Sequence, residues 1–503
     1  MKKSIRITFY LSFLIPVIFS SCSSYKAAET VYMTNNTSCI KEKILKIENG
    51  LLPAVLIENE DSITYSIIER MQYYDVPGLS IAVIKDNKIE WAKSYGVKEK
   101  GTTDIVTLNT MFQAASMSKP ITGIVAVKLA EQGKIDLYKS VNEQLKSWQI
   151  PENEFTKKKA VTPELLLLHL GGLNVHGYHG YSVSDTIPNI IDILNGTGSA
   201  NSESMEVVIE PRTKWIYSGG GYTVLQLLME EVSGKSFPQL MKENLFDPLE
   251  IKNSTFSHNL SKNEEKSIAK AYRYDGSMVK GGYHIYPEKA AAGLWCTPSD
   301  YAKMVIEIQK AYFGQSNKIV SQEASKSLFT RNLGYMGYGF MIRLHGDSTA
   351  IAFGGGNKGY TCNIFSYFHQ GSGAVIMANS DNAEIMGEIL RSMSKQYSWP
   401  EFKPKTMKAA DVSASTLLSY VGTYNGISTD SVEFTFEITL KDNCLYSTIN
   451  NKTKKLYAKN EKEFIIPERD WKITFKDTDG KIDSLEFYVD YENGTAKRIN
   501  LQN

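Results

Sequence analysis

Apolar and polar positions along the chain change their rhythm several times. The stretch "GLSIAVIKDNKIEWAKSYGV" (78–97) has two short β-type runs about the polar turn "KDNK", which predicts a hairpin. From 116 to 132 the spacing of Ile121, Ile124, Val125, Val127 and Leu129 suits a helix, stopped by Gly133. "VTPELLLLHLGGL" reads as another, with Thr162 as N-cap, Pro163 at the first helical position and Gly171 as the stop. "GYTVLQLLMEEVSG", ending at Gly234, and "TPSDYAKMVIEIQKAY", capped by Thr297 or Ser299, predict two more. Strand-like runs return within 338–378 as "YGFMIRL", "TCNIFSYF" and "GAVIMAN". Strands at both ends with helices between them predict an α+β domain over 48–400.

The texture then shifts. "KPKTMKAADVSAS" (403–415) is polar and places a linker at 401–410. Beyond it "SVEFTFEITL" alternates strictly, with Val432, Phe434, Phe436, Ile438 and Leu440 on one face. The runs "NCLYSTI", "EFIIPE", "WKITFKD" and "SLEFYVD" follow, so 411–503 reads as a small all-β antiparallel barrel or sandwich.

The N-terminus reads differently again. "MKKSIRITFYLSFLIPVIFSSCSS" runs from basic residues through an apolar stretch to small residues and Cys22, the pattern of an export signal over 1–22. Ser20 and Ser21 before Cys22 resemble a lipoprotein signal, with Cys22 the lipidated residue and the cell envelope the destination. Residues 23–47 are expected to be a tether. No later run reaches the ~18 apolar residues of a spanning helix, so membrane contact is expected through the anchor alone.

Composition adds limits. A chain of 503 residues exceeds one ordinary core, and 42% hydrophobic with 22% charged residues can bury a large interior. Formal net charge is +1, which leaves no electrostatic footprint for nucleic acid. Cys39, Cys296, Cys362 and Cys444 have no CxxC or CxxH neighbour, so buried free thiols are expected rather than a zinc site.

The candidate chemistry lies in "FQAASMSK" (112–119), where Ser116 and Lys119 stand one helical turn apart. A serine hydroxyl is a poor nucleophile without a base in reach, and a lysine amine can take its proton. The same spacing occurs at Ser23, Ser38, Ser267, Ser277 and Ser392, so the pair alone is a weak signal.

Context supplies the rest. "VPGLSIAVIKDNKIEWAKSYGV", "FQAASMSKPIT", "TPELLLLHLGGL", "PRTKWIYSGGGYTVLQLLMEEVSGKSF", "LFDPLEIKNSTF", "AAGLWCTPSDYAKM" and "FGGGNKGY" follow one another over residues 60–395. This series resembles the serine β-lactamase/penicillin-binding family, nearest to its class C β-lactamase, D-alanyl-D-alanine carboxypeptidase and esterase branch. The resemblance implies a β-lactamase/transpeptidase-like domain with Ser116 as acyl-accepting nucleophile and Lys119 as its base partner. Tyr217, in "YSG", would match the second motif, Tyr-x-Asn, and shuttle the proton. Gly219 stands where many members carry Asn. At the third motif, usually Lys-Thr-Gly or His-x-Gly on an edge strand, the best register gives Phe353-Gly354-Gly355. Gly355 or Gly356 would offer a backbone oxyanion N–H, while Phe353 takes the cationic position that holds a substrate carboxylate. Lys358 or Arg343 would be the substitutes. The C-terminal part resembles the lipocalin-like domains appended to many such hydrolases.

The expected function is therefore a serine hydrolase that forms an acyl-enzyme with a small-molecule or peptide-like ester or amide, with no metal or organic cofactor. The alternatives are a D-alanyl-D-alanine carboxypeptidase or β-lactamase, and a catalytically weak cell-wall binding protein. "GGGNKG" (354–359) satisfies G-x-G-x-x-G, but "YTCNIFSYF" after it is strand-like, so no helix awaits a pyrophosphate. His169, His176 and His179 lie close in sequence without a carboxylate pair or HExxH pattern. His169 is read as a structural residue on an apolar helix. G-x-S-x-G is not found, which argues against the α/β-hydrolase arrangement.

Overall fold

The computed structural model describes residues 32–33, 37–60, 64–333, 335–345, 348–382, 384–428, 433–449, 452–489 and 492–499. The export signal with Cys22 lies outside them, as does Val432.

The N-terminal hairpin forms as its turn chemistry dictates. Gly78–Lys85 and Lys88–Gly96 pair across Asp86 and Asn87, both at positive φ (52° and 54°). That left-handed pair is the turn whose twist matches two antiparallel strands. The hairpin joins the late strands through Gly78–Lys85, which pairs with Ser372–Ala378 in the register Ile81↔Ile376. A seven-stranded antiparallel sheet results, in the order Tyr32–Met33, Lys88–Gly96, Gly78–Lys85, Ser372–Ala378, Tyr360–Tyr367, Ser348–Asn357, Met341–His345.

Both faces of this sheet are covered, which explains the unbroken apolar runs in its central strands. Ala82, Ile84, Ile364, Val375 and Met377 point to a large helical core, and Ile81, Val83, Phe365, Ala374 and Ile376 to a second one. Helices Thr37–Glu48 and Glu384–Tyr397 close the second core. The first of these replaces a tether at residues 37–47 of the 23–47 expected; 23–31 and 34–36 lie outside the described residues. Ile40, Ile44 and Ile47 form one buried stripe in a polar sequence, and the Ser392 hydroxyl donates to the Ile47 carbonyl at 2.8 Å. Three isoleucines at helical spacing suffice to bury a helix, but they leave little signal in a polar stretch.

The linker expected at 401–410 is also structured. Lys405–Met407 adds in parallel to Val55–Ile57, because both ends of the hydrolase part meet there. The backbone N–H groups of Ala54 and Val55 donate to the carbonyls of Glu468 and Pro467, and Arg391 donates to the carbonyls of Leu52 and Glu468. The C-terminal part is thereby docked on the first.

That part is a nine-stranded, all-antiparallel sheet. Its two edge strands, Lys452–Lys455 and Tyr457–Ala458, are separated by Leu456 alone, so the sheet curls nearly shut into a barrel. In Glu433–Lys441 the side chains of Phe434, Phe436 and Ile438 are buried while Glu433, Thr435 and Glu437 are exposed, as the alternation predicts. Tyr420, Tyr424, Phe464, Phe475 and Phe487 join them inside, with Tyr420 stacked on Phe475 at 4.1 Å.

Candidate active site

Ser116 lies in a short 3-10 turn, Ala115–Met117, and the helix follows as Ser118–Glu131 rather than starting at 116. Ala115 is held at φ 46°. A residue with a Cβ pays about 1–2 kcal/mol for that conformation, so the surroundings must enforce it. They do so from three sides. The Ala114 carbonyl accepts from the Cys362 thiol at 2.9 Å, the Ala114 N–H donates to the Leu294 carbonyl, and the Tyr301 hydroxyl donates to the Met117 carbonyl. Among residues 111–120 Ser116 is the one residue that is not buried.

Lys119 is 2% exposed and donates from Nζ to Ser116 Oγ at 3.1 Å and to the Ala291 carbonyl at 2.8 Å. The spacing read from the sequence thus places amine and hydroxyl in contact. The short helix Lys289–Ala292 supplies the second anchor and ties itself down through Ala290, whose carbonyl accepts from the Thr122 hydroxyl.

Tyr217 is half-buried just before helix Gly219–Ser233, whose N-cap Ser218 accepts from the Gly221 N–H at 3.0 Å. Lys119 Nζ sits 4.9 Å from the centre of the Tyr217 ring. Among the described residues the Tyr217 hydroxyl makes no hydrogen bond. Gly219 has a packing reason for lacking a side chain. A Cβ there would come within 3.0 Å of the His176 carbonyl and 3.3 Å of the Tyr178 ring. The loop carrying His176 has closed over the position where an asparagine would project.

The glycine-rich strand Ser348–Asn357 runs past its neighbour, whose register ends at Met341↔Ala352. Its last five residues are therefore uncovered on that side. A Cβ on Gly355 would meet the Ala114 carbonyl and Cys362 Sγ, each at 2.6 Å, whereas one on Gly356 would meet nothing within 4 Å. Gly355 is pressed against the Ser116 turn, and Gly356 opens away from it. Gly355→Ala is expected to push the two backbones apart and slow acylation on the order of 10²-fold, the scale of an ångström's misplacement. Gly356→Ala should leave the melting temperature unchanged; stopped-flow acylation and thermal melts check both.

Phe353 departs from expectation. It is 3% exposed, pairs across from Ile364 and belongs to the helical core, so its ring does not occupy a cation's place in a cleft. Lys358 and Arg343 are exposed. Of the three histidines, His169 and His176 both pack on the Tyr217 ring and His179 turns to His284. The helix before His169 ends at Leu167, not at Gly171, and His169 follows at φ 57°, fully buried. The His176 ring lies 4.9 Å from the Tyr217 ring, and the His179 carbonyl faces His284 Nδ1 at 3.1 Å. Of the four thiols, Cys296 and Cys362 are buried; Cys39 is exposed and Cys444 half-buried.

Sequence reasoning missed the Ala291 carbonyl, because a backbone acceptor leaves no mark in side-chain pattern. It also missed Glu288, just before that turn. Glu288 is fully buried, neither carboxyl oxygen has a hydrogen-bond partner among the described residues, and burial pushes it up to about 8.

Comparison with known proteins bears on the family and the fold. The family described as "Beta-lactamase" matches residues 66–391. The chain is 28% identical over 261 residues to the teichoic acid D-alanine hydrolase of Staphylococcus aureus, covering 50% of this chain and 60% of the relative. Protein flp of the same species is 26% identical over 237 residues, 47% of this chain and 45% of the relative. The chain thus spans about half the length of the curated relatives it matches. Among solved structures, the octameric penicillin-binding protein homologue from Pyrococcus abyssi superposes with TM-score 0.58 at 20% identity, over 85% of this chain and 98% of that one. D-amino acid amidase from Ochrobactrum anthropi gives TM-score 0.55 at 18% identity, over 72% of this chain and all of the other. These two likenesses establish the fold.

Proposed function

The chain belongs to the beta-lactamase family, and on that footing we propose that it is an active-site serine hydrolase working through an acyl-enzyme. Ser116 attacks the substrate carbonyl while Lys119 takes its proton, and N–H groups of Ser116 and of Gly355 or Gly356 hold the oxyanion. The bond to the leaving alcohol or amine breaks, and Tyr217 passes the proton from Lys119 to that group. Water then attacks the acyl-enzyme, the acid leaves, and the Ser116 hydroxyl is restored. One observation carries this reading: the 3.1 Å contact between Lys119 Nζ and the hydroxyl of the one residue in its turn that is not buried.

The substrate class proposed is a D-aminoacyl ester or amide. The relatives' names, teichoic acid D-alanine hydrolase and D-amino acid amidase, support it. So does the burial of Phe353, since an aminoacyl ester needs no cation for a free carboxylate. Export and a lipid anchor at Cys22 complete the proposal and put the enzyme in the cell envelope; among the described residues no helix is long and apolar enough to cross a membrane.

Turnover of O-D-alanyl glycerol and D-alaninamide, beside their L-forms and fluorescent penicillin, tests this reading. D-Alanyl compounds should be hydrolysed roughly tenfold or more faster than the L-forms, with no stable penicillin adduct. Covalent penicillin labelling without ester turnover would replace the reading with a peptidase or β-lactamase, and neither activity would leave a binding protein.

A further inference from the structure

His169 occupies a backbone conformation that only glycine adopts freely, φ 57°. From there it holds three consecutive residues of the Tyr217 segment. Its carbonyl accepts from the Ile216 N–H at 3.0 Å. Its ring lies against the Tyr217 ring, with centroids 4.4 Å apart and planes inclined by 31°. Its Nδ1 accepts from the Ser218 N–H at 3.0 Å.

Because Nδ1 is an acceptor, the ring is neutral with its proton on Nε2. Burial first, then Lys119 and His176, hold it well below the usual histidine range. The rings of Trp215 and Tyr222 flank it at 6.1 and 5.3 Å. The Tyr217 ring also meets the rings of His176 at 4.9 Å and Trp215 at 6.2 Å, and Lys119 Nζ sits 4.9 Å from its centre. A phenol on a chain segment before a helix has two soft torsions of its own, and here His169 packs on its ring while holding the backbone N–H groups on either side of it.

We propose that His169 is a positioning residue for Tyr217, setting the angle at which the phenol faces Lys119 and Ser116. The inference rests on the hydrolase reading for its consequence in rate, but the geometric claim stands apart from it. His169→Phe keeps an aromatic ring and removes the acceptor, leaving the buried Ser218 N–H unpaired. His169→Asn keeps an acceptor near Nδ1 and removes the ring. Either change should lower kcat by ~10–100-fold with KM little altered, because the phenol is misaligned rather than the substrate unbound.

A double-mutant cycle separates positioning from mere packing. With Tyr217→Phe already in place, the His169 substitution should change kcat by less than ~3-fold, since the hydroxyl it acts through has gone. An equal loss in both backgrounds overturns the proposal. Should the phenylalanine variant fail to fold, His169→Asn runs the same cycle. A second readout needs no activity. In protein labelled with 3-fluorotyrosine, the Tyr217 resonance, assigned by its loss in Tyr217→Phe, should split or broaden in His169→Asn as the ring takes more than one orientation, beyond the simple shift that losing the neighbouring ring current gives. A single sharp resonance overturns the proposal even if the protein hydrolyses nothing, whereas a split or broadened one in an inactive protein upholds it and removes only the hydrolase reading.

Discussion

Ser116→Ala is expected to return ester and amide hydrolysis to background, a loss on the order of 10⁴-fold or more, in a protein that melts at its usual temperature. The substitution deletes a single hydroxyl, which accepts one hydrogen bond from Lys119. Lys119 keeps its bond to the Ala291 carbonyl, so its amine is not stranded. Lys119→Ala should be milder, on the order of 10²–10⁴-fold, because the nucleophile survives and only its proton acceptor is lost. Labelling with an active-site serine probe, then peptide mapping, reads both. A probe adduct that persists in Ser116→Ala would move the nucleophile elsewhere and end the assignment.

Glu288→Gln is expected to become steadily more stable than the natural protein as pH rises from about 5 to about 8. Burial lifts the Glu288 carboxyl from the ordinary 4.5 to about 8. Between those values the unfolded chain has released the proton and the folded chain still holds it, so stability falls with rising pH. The contribution is fully present below 4.5 and fully lost above about 8. A shift of that size corresponds to roughly 5 kcal/mol at most. Lys289 is the cation beside it, itself pushed down by burial, and Tyr178, Tyr181 and Tyr286 face it as neutral phenols pushed up by burial and by Glu288. None of them hydrogen-bonds the carboxyl. Glutamine copies the neutral acid and does not titrate. Thermal melts of both proteins across this pH range should show the gap in melting temperature widening upward; a constant gap would mean that the carboxyl finds solvent or a partner.

Local chemistry was readable where one short segment decides the outcome. Thr162 and Thr297 cap their helices as read, Gly234 ends its helix at φ 64°, and Lys119 reaches Ser116 within one turn. What escaped depends on segments far apart in the chain. Lys119 and Ala291 are 172 positions apart, and the tightness at Gly355 comes from Ala114 and Cys362. The apolar run predicts a helix continuing through His169 to Gly171. The left-handed backbone of His169 follows instead from the hold on Ile216 and Ser218, which no local pattern encodes. The stripe Ile40, Ile44 and Ile47 was legible in principle and was hidden by the polar residues around it.

The central sheet closes only where Gly78–Lys85 meets Ser372–Ala378. A chain leaving the ribosome therefore carries Ser116, Lys119 and Tyr217 long before it owns the strand that seals the sheet around them. Joining such distant strands is entropically slow. Until it happens the hairpin and the late strands are two separate pieces of sheet. Synthesis thus delivers the reactive groups first and the strand that joins the two pieces of the sheet, Ser372–Ala378, last.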